Sequence, residues 1–71
     1  MPTHYIQSSR QAVDVICTEK ARRLFLQIPH NVRTQAMISN IRSYLHKYDL
    51  HVKMADANYE NRKVIVVTKW T

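Results

Sequence analysis

The sequence predicts a single α+β domain, in which a short N-terminal strand is followed by two antiparallel-packed helices and a C-terminal β-hairpin. Two stretches of the chain repeat apolar residues at helical spacing, and Pro29 separates them. The last third of the chain instead alternates apolar and polar residues, as half-buried strands do. A chain of 71 residues has room for one small basic domain, 1–71, and not for two.

The N-terminal residues predict a short strand over residues 3–7, followed by the start of a helix. Ser8 or Ser9 is the expected N-cap, because a serine oxygen accepts hydrogen bonds from the free amides of a first helical turn.

One long first helix is predicted from this cap to Gln27 or Ile28. Pro29 ends it, since the residue before a proline is pushed out of the helical region. Cys17 lies on the apolar side of this helix, so a buried and inert thiol is expected. The apolar positions at helical spacing are Val13, Ile16, Cys17, Ala21, Leu24, Phe25 and Ile28.

A different interpretation of the same stretch stays open. Val13, Val15 and Cys17 also alternate, so residues 11–17 could form a strand. Thr18 would then cap a shorter helix that begins at Glu19, with an acid well placed for the helix dipole.

The second helix carries the strongest periodic signal in the chain. Asn31 is its expected N-cap, and Asp49 closes the helical region. Tyr44 and Tyr48 lie on the apolar stripe and are expected to pack in the core. The stripe consists of Val32, Ala36, Met37, Ile41, Tyr44, Leu45 and Tyr48.

The last third predicts a hairpin. Leu50, Val52 and Met54 alternate with polar or small residues, and a β-branched run over residues 64–67 lies within a second strand over residues 63–70. Residues 56–61 are rich in turn formers, and Asn58 or Asn61 can take the left-handed backbone conformation that glycine usually supplies. Tyr59 lies in this polar turn and is expected to be exposed.

Composition favours a polyanionic partner and excludes several classes of site. Eleven Lys and Arg face five Asp and Glu, for a formal charge of +6 and a pI near 9.9. The chain has no glycine, so it cannot build a P-loop, a dinucleotide-binding turn or a nucleophile elbow. Cys17 is the single cysteine and excludes an internal disulfide, which fits a reducing, cytoplasmic setting. No apolar run is long enough for a membrane span.

The leading functional hypothesis is a non-catalytic protein that binds DNA or RNA through a basic surface on the second helix and the hairpin. A phosphate-tracking surface needs several cations on one face. The candidate contacts are Arg22, Arg23, Arg33, Arg42, Lys47, Lys53, Tyr59, Arg62 and Lys63.

One docking mode for that hypothesis is a reduced winged-helix arrangement, in which the second helix enters the major groove and the hairpin touches the backbone. The helix would then read base edges with groups that can pair with them. Those groups are Arg33, Gln35, Ser39, Asn40 and Arg42.

Two other functions stay open. A small regulator could dock on an acidic protein partner, with Tyr59 and Trp70 as anchors, and the small core makes a homodimer plausible. A metal-independent ribonuclease would need His30, His46 or His51 for acid-base work. No cofactor is expected.

No metal site is expected either. His46, Asp49 and His51 are close in sequence but lack the spacing of zinc ligands.

Overall fold

The computed structural model describes residues 2–48 and 50–70 and confirms the α+β class, with two helices and one four-stranded mixed sheet. The sheet order is β1-β2-β4-β3, in which β1 runs parallel to β2 and the other neighbours are antiparallel. Asp49, expected to close the helical region, lies outside the described residues. The elements are β1 Thr3–Tyr5, α1 Ser9–Thr18, β2 Arg23–Gln27, α2 Thr34–Leu45, β3 His51–Tyr59 and β4 Arg62–Trp70.

The first helix begins as predicted. The Ser8 hydroxyl accepts a hydrogen bond from the Gln11 amide at 3.2 Å, which satisfies one of the free first-turn donors. The helix buries Ala12, Val13 and Ile16 along one face. The prediction of a buried Cys17 was wrong, since its thiol is exposed. Cys17 follows Ile16 by one residue, which rotates it by about 100° away from the buried face.

The prediction of one helix to Gln27 or Ile28 was also wrong. The helix ends at Thr18, and residues 23–27 form β2. Leu24 and Leu26 are fully buried while Arg23 is exposed, which is the period of a strand. The alternative of a strand over residues 11–17 fails as well, because those residues are helical.

The extended conformation of β2 has a tertiary cause. β2 lies between β1 and β4; residues 23–27 all pair with β4, and residues 25–27 also pair with β1. A short apolar segment fits a helix and a strand equally well by periodicity, and here the backbone hydrogen bonds to two neighbours decide.

The second helix lies where its stripe predicts but is shorter. It buries Met37, Ile38, Ile41 and Leu45. Its N-cap is Arg33 and not Asn31, and the Arg33 side chain makes no capping hydrogen bond.

The two tyrosines expected in the core are instead exposed. Tyr44 is 38% exposed and Tyr48 is 54% exposed. Tyr48 follows the end of α2, so the helical spacing that predicted its burial no longer applies there.

The hairpin is longer than predicted and its turn is tighter. Residues 56–59, expected in a loop, extend β3 to Tyr59, and only Glu60 and Asn61 form the turn. Both turn residues have positive φ, 53° and 63°, which matches the two-residue turns that suit the twist of a hairpin. Asn61 therefore takes the left-handed conformation expected of it, while Asn58 lies in the strand.

Both helices pack on the same side of the sheet. Leu24 pairs with Val67, which pairs with Met54, so these three buried side chains share one face. They join the buried residues of α1 and α2 in one hydrophobic cluster. Within residues 2–48 and 50–70, neither helix is long and apolar enough to cross a bilayer.

Candidate functional site

The sheet has one face that no helix of the described chain covers, here called the open face. Because side chains alternate along a strand, the residues between the core positions project from this face. The strand register assigns them from β1 to β3. They are Thr3, Tyr5, Arg23, Phe25, Gln27, Arg62, Val64, Val66, Thr68, Trp70, His51, Lys53, Ala55, Ala57 and Tyr59.

A row of two cations crosses this face near the start of β2. Arg23 pairs with Thr68, and Thr68 pairs with Lys53 on its other side. The two cations therefore flank a threonine, with their backbones two strand spacings, or about 10 Å, apart. Both side chains are exposed.

An aromatic pair occupies the middle of the open face. The rings of Phe25 and Tyr59 lie with centroids 6.2 Å apart and an angle of 23° between their planes. Val64 lies in the strand between them and is only 4% exposed, although it is outside the hydrophobic cluster on the helix side. The two rings account for that burial, because Val64 occupies the row between the row of Phe25 and that of Tyr59.

A third cation lies beyond the aromatic pair. Arg62 is exposed and pairs with Tyr59 at the hairpin end of the sheet. Arg62 and Thr68 are six residues apart along β4, which corresponds to roughly 20 Å. The open face thus carries cations at both ends and aromatic and aliphatic side chains between them.

The described carboxylates lie off this face. Asp14 is on α1, and Glu19, at the end of that helix, is hydrogen-bonded to His4. Asp56 projects from β3 toward the helices, where its Oδ2 accepts a hydrogen bond from Gln35 at 3.1 Å. Glu60 is in the hairpin turn at the edge. Within the part of the chain that the structure describes, the three cations of the open face have no carboxylate among them.

The structure separates the predicted contact residues into two groups. Arg23, Lys53, Tyr59 and Arg62 share the open face. The remaining cations lie on the helical layer or in the loops around it. Those residues are Arg22 before β2, Arg33 at the start of α2, Arg42 in its last turn, Lys47 after it, and Lys63 on the helix side of β4.

Lys63 has structural hydrogen bonds of its own. Its Nζ donates to the carbonyl oxygens of His30 at 3.1 Å and Val32 at 3.0 Å. These bonds hold the loop before α2 against β4. They also use donors of the amine that would otherwise be available to a phosphate.

The winged-helix docking mode is contradicted by the connection between the helices. A helix-turn-helix joins its two helices by a short turn. Here residues 19–33, which include the whole of β2, separate α1 from α2. Gln35, one of the expected base readers, is also engaged by Asp56.

The histidines of the ribonuclease hypothesis are divided as well. His46 and His51 line one groove at the end of the sheet, together with Arg42. His30 lies before the other end of α2, a helix of 12 residues that spans about 18 Å. Asp49, which sequence reasoning weighed together with His46 and His51, lies outside the described residues.

Sequence reasoning missed Phe25 as a site residue, because it assigned that residue to the first helix. The sequence signal for it is the order Arg23-Leu24-Phe25-Leu26-Gln27, in which two leucines alternate with an arginine, a phenylalanine and a glutamine. A strand interpretation of these residues places Arg23 and Phe25 on the same face.

Comparison of the chain with protein-family models, curated proteins and solved structures finds no match.

Proposed function

We propose that this protein binds single-stranded nucleic acid on the open face of its sheet. The observation that carries the proposal is the arrangement of Arg23, Lys53 and Arg62 around the stacked pair of Phe25 and Tyr59. A single strand offers the two chemistries that this arrangement fits, a chain of phosphates and a series of unpaired bases with flat faces.

The aromatic residues favour single strands over duplexes. Tyr59 is 59% exposed, so one face of its ring is available although it stacks on Phe25. Bases inside a duplex are stacked on each other and cannot reach such a ring, whereas unpaired bases can. Sheets that bind RNA use aromatic side chains in this way to hold two or three bases.

The cations favour an anionic backbone over an uncharged ligand. Each phosphate that a Lys or Arg neutralises releases counterions, and no described carboxylate on the open face competes for these side chains. The overall charge of +6 would steer the strand toward the protein from a distance. A single exposed cysteine suits a reducing compartment, so we place this function in the cytoplasm.

Fluorescence anisotropy with a labelled single strand of about twelve nucleotides tests the proposal, with the matching duplex in parallel. Affinity should fall between about 50 and 200 mM salt, and the single strand should bind more tightly than the duplex. A dissociation constant weaker than about 100 µM at the lowest salt would reject the proposal. Equal inhibition by polyglutamate and by unlabelled strand would assign the surface to acidic proteins instead.

Matched variants locate the surface. Arg23→Gln and Lys53→Gln should each lower the slope of log affinity against log salt by about 0.7. Arg10→Gln and Arg33→Gln remove the same charge from the helical layer and should leave the slope almost unchanged.

Tyr59→Ala should weaken binding by about 1 to 3 kcal/mol, since it removes the exposed stacking ring. Tyr44→Ala removes an exposed tyrosine from α2 and serves as its control. If the open-face variants and their controls on the helical layer change binding equally, binding does not use the open face.

A further inference from the structure

We infer that the groove at the end of the sheet is a second nucleotide subsite, which holds one base against Trp70 and its phosphate against Arg42 and the two neighbouring histidines. The inference rests on the proposed nucleic-acid binding, because the groove would take a nucleotide of the same strand. The groove has a volume of about 550 Å³. Its side chains come from the end of α2, the start of β3 and the end of β4.

The groove combines apolar, aromatic and cationic lining. Leu45 is buried and Leu50 and Val52 are half-buried, so they provide an apolar floor. Trp70 and Tyr48 are 52% and 54% exposed, which leaves ring surface available to a ligand. A base has the flat, partly apolar surface that such rings stack on.

Arg42, His46 and His51 form the side of the groove that suits the phosphate. Arg42 is in the last turn of α2, His46 is its C-cap and His51 begins β3. The C-terminal end of a helix carries partial negative charge, which stabilises cations there and by itself disfavours an anion. The full positive charge of the Arg42 guanidinium exceeds the roughly half negative charge of the helix end. A guanidinium can bind phosphate through two N–H groups, and each imidazole can donate one N–H.

The groove adjoins the open face at the end of the sheet through His51 and Trp70. His51 pairs with Trp70, and this pair lies two residues beyond the pair of Lys53 and Thr68 on both strands. Side chains two residues apart on a strand share a face and are separated by about 6.6 Å. Val52 and the α2 residues of the groove lie on the helix side, so a strand held by the cations of the open face would reach the groove by passing around His51 and Trp70 at the end of the sheet.

Trp70 is the only tryptophan of the chain, so its fluorescence reports on this groove and not on the aromatic pair. Adenosine 5′-monophosphate should quench it in a saturable manner, and adenosine without the phosphate should bind about tenfold more weakly. An unlabelled single strand should also quench it, over the same concentrations at which anisotropy reports binding.

Arg42→Gln and Arg33→Gln form a matched pair, since they remove the same charge from opposite ends of α2. Arg42→Gln should weaken the nucleotide-induced quenching about tenfold, and Arg33→Gln should leave it unchanged. His46→Gln is paired with His30→Gln in the same way. Equal effects within each pair would overturn the subsite, because general charge would then explain the binding.

The two readouts separate this inference from the proposed function. Anisotropy that reports binding without any change in Trp70 fluorescence would leave the open face in place and reject the groove. Quenching by the mononucleotide without binding of the longer strand would support the groove and reject the open face. A single strand that binds and quenches in parallel, with both effects lost in Arg42→Gln more than in Arg33→Gln, supports the inference.

Discussion

Phe25 and Tyr59 belong to strands that do not pair with each other, yet their rings stack across the strand between them, with centroids 6.2 Å apart. The contact joins two residues that are 34 positions apart in the chain. It also covers Val64, an aliphatic side chain on the side of the sheet that carries no helix. The pair therefore has a structural role that is independent of any ligand.

Tyr59→Ala is expected to lower the free energy of unfolding by about 1 kcal/mol, because it removes an aromatic pair and uncovers Val64. Tyr44→Ala should cost less, since Tyr44 is an exposed residue for which the structure gives no stacked partner among the described rings. Urea denaturation measures both values. A double-mutant cycle with Phe25→Leu should give a coupling of at least about 0.5 kcal/mol. Additive effects would show that the rings do not stabilise each other.

The stacked pair also shows where sequence reasoning stops. Tyr59 could be named as an exposed contact, because a tyrosine among turn formers has few ways to be buried. Phe25 was missed, because Leu24, Phe25 and Ile28 fit a helical stripe, while Leu24, Leu26 and Ile28 fit one face of a strand equally well. The pairing of β2 with both of its neighbours, which is not local in sequence, decided between the two.

The parts that could be predicted depend on local chemistry. The Ser8 cap and the buried stripe of α2 follow from contacts within one or two helical turns. The greater burial of Val52 and Met54 on either side of the exposed Lys53 likewise follows from the period of a strand. Which cations share a face is instead a matter of topology. Arg23 and Lys53 lie in one row only because β4 pairs with both of their strands, through Thr68.

The hairpin turn predicts a stabilising substitution. Glu60 has a φ of 53°, a left-handed conformation that costs a residue with a Cβ about 1 kcal/mol or more, and that Asn adopts more readily. Glu60→Asn should therefore raise the free energy of unfolding by about 0.5 to 1 kcal/mol. Glu60→Gln removes the same charge but keeps the unfavourable backbone preference, so it should be close to neutral. If both variants gain equally in urea denaturation, the effect is one of charge and not of backbone conformation.

Replacing Lys69 is expected to lower the free energy of unfolding strongly, because its side chain caps the end of α1. Its Nζ donates to the carbonyl oxygen of Ile16 at 3.1 Å and to that of Glu19, both at the end of α1. The ammonium group also lies at the negative end of the helix dipole. Lys69→Met leaves these carbonyls without their donor and should cost about 1.5 to 3 kcal/mol.

Lys53→Met is the control for Lys69, since it removes the same charge from an exposed position on the open face. It should change the midpoint of thermal unfolding by little, whereas Lys69→Met should lower it by roughly 6 to 20 °C in a domain of this size. Equal shifts would contradict the capping role of Lys69. Nucleic-acid binding should respond in the opposite order, because only Lys53 faces the proposed strand.

The contact between His4 and Glu19 predicts how stability depends on pH. Glu19 Oε2 lies 2.8 Å from His4 Nε2. The hydrogen bond with His4, followed by that from the Ala21 amide, lowers the pKa of the Glu19 carboxyl below its ordinary value of 4.5. A carboxyl with a lowered folded-state pKa stabilises the fold fully above its unfolded pKa. It loses that contribution as the pH falls through the folded-state value.

Wild-type protein should therefore lose more stability than Glu19→Gln as the pH falls from about 5.5 to 3, while the difference between them stays constant from pH 5.5 to 6. Urea denaturation at a series of pH values measures this difference. Asp14→Asn removes a different carboxylate, on α1, so it controls for the change in net charge. His4→Ala should reduce the difference, because it deletes the largest cause of the lowered pKa. Parallel pH curves for wild type and Glu19→Gln would show that the carboxylate contributes nothing specific to the fold.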